Sequence, residues 1–378
     1  MKYIALLILS VPMLVSAQHV MVDGPPKWGD GLRVIEEVRI GDRPDEVHLL
    51  GRIADVAVSA DGTIWVADGS VPQIRLYSAD GDYLRDVGGP GQGPGEYRRI
   101  MGLKSTSNDE MVLFDPGNHR ITFFSSSGEY LRSFPVDSGL HASDVLSVDA
   151  KGFVYVAKRD LAAPRQENGA SPKVWLKIDA QGDVIERIPV PARSRKRGFV
   201  LVTPMGYRGP FPSETISAVS SEGRLLVADN QAYTISNGSI TLERPYEPLS
   251  ALPEEVAYWK SVARRFEERS RSGADLVSFV EETKPAFRRM SVDSDGRLWF
   301  NMYAEAEARP RSSGQGETWL DWYPEFEVLG GDGTYFGRIK LPEKTYFYDA
   351  RGPLIWAELE AEDGSPVVVR YRTERTDS

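Results

Sequence analysis

The chain has 378 residues and a formal net charge of −10, and 41% of its residues are hydrophobic, 26% charged and 10% aromatic. This balance is typical of a folded protein with a substantial core, and it excludes a disordered or collagen-like chain. The excess of acidic residues argues against binding to nucleic acid or to anionic lipid surfaces. Because there is no cysteine, disulfides, thiolate metal sites and cysteine nucleophiles are excluded as well.

The first 17 residues have the features of a secretory signal peptide. Lys2 supplies the positive charge, and residues 3–15 form an apolar run that is too short to span a bilayer as a helix. Residues 15–17 (Val-Ser-Ala) place small side chains ahead of a cleavage site at Gln18. A short anchor helix is the alternative interpretation. We therefore predict a periplasmic or secreted protein with no membrane span after cleavage and no lipid-modified cysteine.

The rest of the chain repeats a unit of four short, alternating strands. In the first copy, residues 53–87, the pairs Asp61-Gly62 and Asp80-Gly81 predict tight hairpin turns, because such turns need positive φ angles. Four-stranded units that recur about every 40–50 residues are typical of propeller blades. The six copies cover residues 53–87, 101–134, 144–188, 215–242, 289–339 and 346–371.

The last copy lacks a fourth strand, whereas residues 32–40 alternate as an unpaired strand before the first copy. Adding this strand to the last copy closes the ring and removes an exposed edge. The sequence thus predicts an all-β, six-bladed β-propeller closed by the N-terminal strand, with an open sandwich or two separate domains as the alternatives. The predicted organisation is a signal peptide (1–17), an N-terminal extension (18–31), the propeller (32–373) and a C-terminal tail (374–378).

A helical insertion is predicted between blades 4 and 5, at about residues 250–286. Pro253 and the two acidic residues after it suit the first turn of a helix. The apolar residues Val256, Trp259, Val262, Ala263 and Phe266 follow at helical spacing. We expect this stripe to pack on the rim of the propeller, and a lid over the central channel is the alternative. Residues 274–282 are a candidate second helix.

Two stretches resemble known propeller sequences. Residues 111–121 (MVLFDPGNHRI) resemble the NHL repeat, and residues 64–76 are a looser copy. Residues 87–97 (VGGPGQGPGEY) resemble the Gly-rich signature of exported bacterial six-bladed propeller proteins of the TolB-like superfamily. The resemblance covers about residues 32–373. It implies the fold but no particular activity, because propellers host many functions.

The long segments all follow the second or the fourth strand of a blade, so they should emerge on one face, which we call the long-loop face; the opposite one is the turn face. Long loops on a rigid scaffold commonly carry function, although surface loops also tolerate neutral insertions. We therefore predict that this face binds a small molecule, a glycan, a peptide or a protein partner. The long segments are residues 88–99, 158–172, 189–213, 245–287 and 303–320.

The candidate binding residues come from these segments and from the strand ends beside them. Aromatic and arginine side chains are common at binding hot spots, and arginine can bind a carboxylate with two hydrogen bonds. A solvated loop is the alternative for the basic run at residues 193–197. The candidates are Glu96, Tyr97, Arg98, Arg99, His141, Arg159, Arg195, Tyr207, Arg208, Tyr303 and Trp319.

Polar residues at the ends of the second strands predict an acidic channel mouth. Carboxylate and amide oxygens suit Ca²⁺, and lactonase-type propellers use such a site. For Asp68 and Asp115 the alternative is a hydrogen bond to the turn that follows the strand. The candidate metal ligands are Asp68, Asp115, Asp229, Asn301 and Glu358.

The sequence shows no combination of residues that requires catalysis. No serine lies in a Gly-x-Ser-x-Gly elbow, and His119 belongs to the repeat motif itself. We therefore expect a binding protein without chemistry of its own. The alternatives are a Ca²⁺-dependent lactonase or lyase-like enzyme that uses the acidic mouth, and a scaffold protein of a cell-surface assembly.

Overall fold

The computed structural model describes residues 18–29, 31–42, 49–136, 146–164, 171–191, 200–201, 207–208, 211–213, 215–270, 275–310 and 317–376. Within these residues the strands form six antiparallel blades, and the first strands of neighbouring blades contact each other around the centre. The predicted all-β, six-bladed propeller is confirmed. The predicted signal peptide, His141 and Arg195 lie outside the described residues. No helix in the described part of the chain is long and apolar enough to cross a membrane.

The strands of each blade follow one another from the centre outward, except that the outermost strand of blade 6 comes from the N-terminal part of the chain. Blade 1 consists of Ile53–Val58, Ile64–Asp68, Gln73–Tyr77 and Tyr83–Val87; blade 2 of Gly102–Ser105, Glu110–Asp115, Arg120–Ser125 and Tyr130–Pro135; blade 3 of Leu146–Val148, Val154–Arg159, Lys173–Ile178 and Val184–Pro189; blade 4 of Thr215–Val219, Leu225–Asp229, Thr234–Ser236 and Ile240–Glu243; blade 5 of Phe287–Val292, Leu298–Pro310, Glu317–Leu329 and Tyr335–Lys340; and blade 6 of Thr345–Arg351, Leu354–Glu360, Pro366–Arg375 and Leu32–Ile40.

The ring is closed as the sequence predicts. Leu32–Ile40 pairs with Pro366–Arg375 in antiparallel register. Leu32 also pairs in parallel with Ile339, so the outer edges of blades 5 and 6 are joined. The closing strand therefore ties residues near the start of the propeller to its last blade by ladder hydrogen bonds.

The N-terminal extension has a structure that the sequence did not predict. Gln18–Met21 adds a fifth, parallel strand to the outer edge of blade 4. Val22 is buried, and the ring of Trp28 packs against Phe336 of blade 5 with the centroids 5.6 Å apart. This segment covers the outer edges of two blades, which would otherwise expose unpaired backbone groups.

The core lies between the blades. The second strand of blade 1, Ile64–Asp68, is buried along its whole length, because the neighbouring blades cover both of its faces. Trp65 and Trp175 are among the largest fully buried side chains. At the hairpin turns Gly62 and Gly81 have φ values of 90° and 88°, as the Asp-Gly pairs predict.

The insertion between blades 4 and 5 contains one long helix, Pro253–Ser270. Its apolar stripe packs against residues of the same insertion, including Val280 and Val277. The expectation that the stripe packs on the rim is therefore wrong, because the returning chain covers it. A short 3-10 turn, Val277–Phe279, lies where a second helix was expected.

Residues 303–310 and 317–320 of the predicted loop are instead paired extensions of two strands of blade 5. The second and third strands, Leu298–Pro310 and Glu317–Leu329, have 13 residues each. Pairing continues to Pro310 and Glu317, with register shifts on both sides of Tyr303. We call residues 303–310 and 317–322 the blade 5 arm. The irregular register explains why simple alternation did not reveal the extension.

Candidate functional site

Three excursions of the long-loop face meet at Lys284. Its Nζ lies 3.1 Å from Oε2 of Glu255, in the first turn of the helix, and these side chains are 1% and 0% exposed. The same Nζ donates a hydrogen bond of 2.9 Å to the carbonyl of Ala304 in the blade 5 arm. It also lies 5.1 Å from the ring centroid of Phe211, just before blade 4. The buried ammonium group of Lys284 thus joins parts of the chain that are far apart in sequence.

The chain that enters blade 5 is held in place by Asn230. The side-chain Nδ2 of this buried residue donates hydrogen bonds to the carbonyls of Pro212, at 2.9 Å, and Phe287, at 3.2 Å. Its own carbonyl accepts a hydrogen bond of 2.8 Å from the backbone of Ala286. The path from Lys284 to the first strand of blade 5 is therefore fixed by blade 4.

A half-enclosed pocket of about 200 Å³ lies beside Lys284, and we call it the Lys284 pocket. An open groove of about 590 Å³ continues from it along the helix, and Glu281 and Thr283 line both. The lining of the pocket combines polar and apolar side chains. The residues of the pocket are Ser213, Gln231, Tyr246, Pro248, Glu281, Thr283, Lys284 and Pro285.

Exposed arginines lie where the first strand of blade 5 begins, at the mouth of the central channel. The Cζ of Arg288 lies 5.5 Å from the ring centroid of Tyr303, and that of Arg289 lies 4.7 Å from the ring centroid of Tyr346. Tyr346 packs in turn on Tyr348, with the ring centroids 5.0 Å apart. We call these five residues the Arg289 mouth. Such contacts attract the guanidinium to the ring face and help to orient it.

Glu358 has a distinctive environment at this end of blade 6. Its Oε2 accepts a hydrogen bond of 2.8 Å from the hydroxyl of Tyr348. Burial raises the pKa of Glu358, and the nearby Glu360 raises it further, although the hydrogen bond from Tyr348 opposes this change. Burial also raises the pKa of Tyr348 well above its usual value. Glu358 is therefore protonated more easily than an ordinary glutamate.

Two of the predicted metal ligands, Asp68 and Asp115, accept hydrogen bonds from the backbone of the chain that enters their blade. Asp68 accepts hydrogen bonds of 2.8 Å from the backbone of both Gly51 and Ser70. Burial raises the pKa of Asp68, but these donors outweigh burial and the net pKa is lowered. Asp115 accepts bonds of 3.1 Å from the backbone of Arg98 and Arg99. Asp68 bonds the turn after its strand through Ser70, and Asp115 does so by accepting a hydrogen bond of 3.0 Å from the backbone of Gly117, as the alternative interpretation predicts. Both carboxylates also tie the chain that enters the blade to the end of its second strand.

The other predicted ligands do not complete a ring. Asp229 accepts hydrogen bonds from the backbone of Gln231 and Ala232. Asn301 is not at the strand position that corresponds to Asp68. Asp68 pairs with the first residue of the inner strand of its blade, and in blade 5 the residue that makes this pairing is Met302. Among the described residues, no group of three histidine or acidic side chains could hold a metal ion. Calcium binding stays a prediction, and the described side chains give it no support.

Tyr97 is a structural residue, so its prediction as a ligand contact is wrong. The side chain is 0% exposed. Its hydroxyl donates a hydrogen bond of 2.6 Å to the carbonyl of Val87 and accepts one of 2.8 Å from the backbone of Ile74. The aromatic residue of the Gly-rich segment thus closes the gap between blades 1 and 2.

The rest of the Gly-rich segment is held by the NHL-like motif of blade 2. Arg120 donates hydrogen bonds to the carbonyls of Gln92, at 3.0 Å, and Gly93, at 2.8 Å. Asn118 donates one of 2.8 Å to the carbonyl of Gly91. Glu96 accepts a bond of 2.7 Å from the backbone of Gly93, which makes it part of this turn. The segment is therefore a fixed loop.

The remaining predicted contacts are placed as follows. Arg98, Arg99 and Arg159 have exposed side chains, and Trp319 lies half-buried in the blade 5 arm. Tyr207 and Arg208 pair with Val200–Leu201 in a short ribbon. Of the predicted contacts, only Tyr303 belongs to the Arg289 mouth. Sequence reasoning missed Arg288, Arg289 and Tyr346, although their positions at the starts of inner strands could have indicated the channel mouth.

The comparisons with known proteins agree with the architecture. Residues 44–185 match the model of a family described as a 6-bladed beta-propeller. The structure is similar to that of a Bacteroides fragilis protein described as exported, with 10% identity, a TM-score of 0.52 and coverage of 95% of this chain and 99% of that chain. It is also similar to the structure of a Bacteroides vulgatus protein described as a member of the DUF4221 family, with 9% identity, a TM-score of 0.52 and coverage of 92% of this chain and 99% of that chain. No curated protein matches the sequence significantly. The chain is a six-bladed β-propeller, and likenesses at this identity show the fold alone.

Proposed function

We propose that the protein is an exported propeller that binds a ligand or a protein partner through its long-loop face, without chemistry of its own. The observation that carries this proposal is the junction at Lys284. The buried ammonium group of Lys284 pairs with Glu255 of its own excursion, donates a hydrogen bond to Ala304 within blade 5 and lies over the ring of Phe211 before blade 4, beside a pocket. Insertions that were merely tolerated would not need such a junction, because surface loops can lengthen at little cost.

The signal-peptide features of residues 1–17 support export. Export would expose the long-loop face to small molecules, glycans and peptides outside the cytoplasm. The mixed lining of the Lys284 pocket suits a small ligand or a short side chain of a larger partner.

Binding is favoured over catalysis by the hydrogen bonds of the channel-mouth carboxylates. Asp68 and Asp115 serve the backbone of neighbouring segments. Glu358 accepts a hydrogen bond from a tyrosine hydroxyl, which holds this carboxyl group in the wall of blade 6. Nothing in the described residues specifically favours the lactonase or lyase-like alternative.

The proposal can be tested by thermal denaturation against a panel of monosaccharides, sugar acids, dicarboxylates, amino acids and short peptides. Thr283→Trp places a bulky ring at an exposed position that lines both the pocket and the groove. Gln181→Trp makes the same kind of change at an exposed turn of blade 3 on the turn face, and it is the matched control.

We expect at least one class of ligand to stabilise the wild type and Gln181→Trp equally, and to stabilise Thr283→Trp much less. If a ligand stabilises Thr283→Trp but not Gln181→Trp, binding is on the turn face and the proposal is contradicted. If no class of ligand stabilises the wild type, the proposal for small ligands fails.

A further inference from the structure

The cavity beside the helical insertion contains a carboxylate without a partner. Glu281 lines both the Lys284 pocket and the open groove along the helix, and its side chain is half-buried. Within the described part of the chain, Glu281 takes part in no side-chain hydrogen bond or ion pair. A carboxylate in a partly enclosed site loses hydration, and a cationic partner offsets that loss.

Two lysines that line these cavities are already engaged. Lys284 pairs with Glu255 at 3.1 Å, and both side chains are almost fully buried. Lys260 of the helix pairs with Glu282 at 3.0 Å. Glu281 is therefore the carboxylate of this cavity that is available to the ammonium group of a ligand.

The groove also contains a cation without a partner. Arg264 lines it from the helix, one turn after Lys260, and its side chain is exposed. No described residue forms a hydrogen bond or an ion pair with this guanidinium. Its planar fork offers the two parallel N–H groups that suit a carboxylate. The groove thus presents an unpaired carboxylate on the returning chain and an unpaired guanidinium on the helix.

The spacing of these two charges exceeds that within a single amino acid. Lys260 pairs with Glu282, the neighbour of Glu281, and Arg264 lies one helical turn further on, a rise of about 6 Å. The two charges of a free amino acid lie on the same residue, whereas each added peptide residue extends a ligand by about 3.3–3.6 Å. The groove therefore suits a ligand of two or three residues.

We propose that the groove binds a short peptide through its free termini, with the ammonium group at Glu281 and the carboxylate at Arg264. This inference rests on the proposed function and names the ligand class of the same site. The exposed hydroxyl of Thr283, which lines both cavities, can hydrogen-bond a peptide amide. The Lys284 pocket, with about 200 Å³, receives the amino-terminal residue.

The test is isothermal titration of the protein with alanyl-alanine. N-acetyl-alanyl-alanine lacks the ammonium group, alanyl-alanine amide lacks the carboxylate, and alanine carries both charges on one residue. Glu281→Gln and Arg264→Gln each remove one charge from the groove. Their matched controls are Glu129→Gln, at an exposed turn of blade 2, and Arg85→Gln, on the outer strand of blade 1. Circular dichroism checks that each variant is folded.

We expect alanyl-alanine to bind more tightly than alanine and than either derivative. Glu281→Gln should weaken its binding about 10-fold, as for the loss of a charged hydrogen bond. Arg264→Gln should weaken it about fivefold, because exposed ion pairs contribute less. Glu129→Gln and Arg85→Gln should change the affinity less than about twofold, since exposed charges at a distance are screened.

Each groove variant should also be specific for one end of the ligand. Glu281→Gln should not weaken binding of the N-acetyl derivative, which has no ammonium group, and Arg264→Gln should not weaken binding of the amide, which has no carboxylate. Losses that do not depend on these groups, or wild-type affinity for alanyl-alanine in both variants, would overturn the inference. So would no binding of alanyl-alanine, or equal affinity for alanine.

The two proposals can fail separately. If a ligand without peptide character stabilises the wild type and Thr283→Trp abolishes its effect, the proposed function holds while the preference for peptides is wrong. If alanyl-alanine binds through Glu281 and Arg264 but Thr283→Trp has no effect on any ligand, the charged groups form the site and the Lys284 pocket is not part of it.

Discussion

Removing one partner of the Lys284–Glu255 pair should be among the most destabilising single changes on the long-loop face. Lys284→Met leaves the carboxylate of Glu255, which is 0% exposed, without its ion-pair partner at 3.1 Å. It also removes the donor to the carbonyl of Ala304. Breaking a buried pair in this way typically lowers the free energy of unfolding by about 3–5 kcal/mol.

Removing both charges together should be much less harmful. In Lys284→Met/Glu255→Leu no buried charge is left, and similar replacements are often neutral or stabilising. The double variant still lacks the hydrogen bond to Ala304, which should lower the free energy of unfolding by about 1 kcal/mol. Glu254→Gln, a change at the exposed neighbour of Glu255, is the control and should alter stability by less than about 0.5 kcal/mol.

The assay is guanidinium denaturation followed by tryptophan fluorescence, combined with hydrogen exchange over Pro253–Ser270. If the insertion melts before the propeller, the loss appears as faster exchange in this helix while the main transition is retained. A single variant that matches the wild type in both measurements, or a double variant whose loss equals the sum of the single losses, would refute the role assigned to the pair.

Three other changes test separate parts of the account. Asp115→Ala should lower the free energy of unfolding by about 2–4 kcal/mol in urea, because buried backbone amides lose their acceptor; a change below about 0.5 kcal/mol would contradict this. Val22→Ala should lower the free energy of unfolding by about 1–2 kcal/mol, whereas Met21→Ala, at an exposed position, should leave it almost unchanged. Equal effects would show that the N-terminal extension is not packed on the blades. Burial raises the pKa of Glu358, so ionisation of this carboxyl group destabilises the folded protein. The free energy of unfolding of the wild type should therefore fall relative to that of Glu358→Gln as the pH rises from about 4 to about 7. A difference that stays constant over this range would contradict the reasoning.

The blades could be predicted because local signals agree with the global fold. The strand pattern of residues 53–59 and the Asp-Gly turn that follows it specify a hairpin without any distant contact. The closing strand was found by counting, since a blade with three strands leaves an edge that must be covered. These features depend on residues that are close in sequence or on a repeated pattern.

Features that depend on distant contacts could not be predicted in the same way. Gln18–Met21 is a strand only because the edge of blade 4 accepts it, and its four residues carry no turn signal. The burial of Lys284 depends on Glu255, Ala304 and Phe211, which come from separate excursions. Tyr97 looked available for binding because its partners in blade 1 are not apparent from its own segment.

The most direct test of the central claim is hydrogen exchange measured by mass spectrometry, with and without the stabilising ligand found in the panel. The added protection should fall on residues 281–289 and on the start of Thr345–Arg351, at the long-loop face. Protection confined to the hairpin turns of the opposite face, such as residues 59–63, would contradict it.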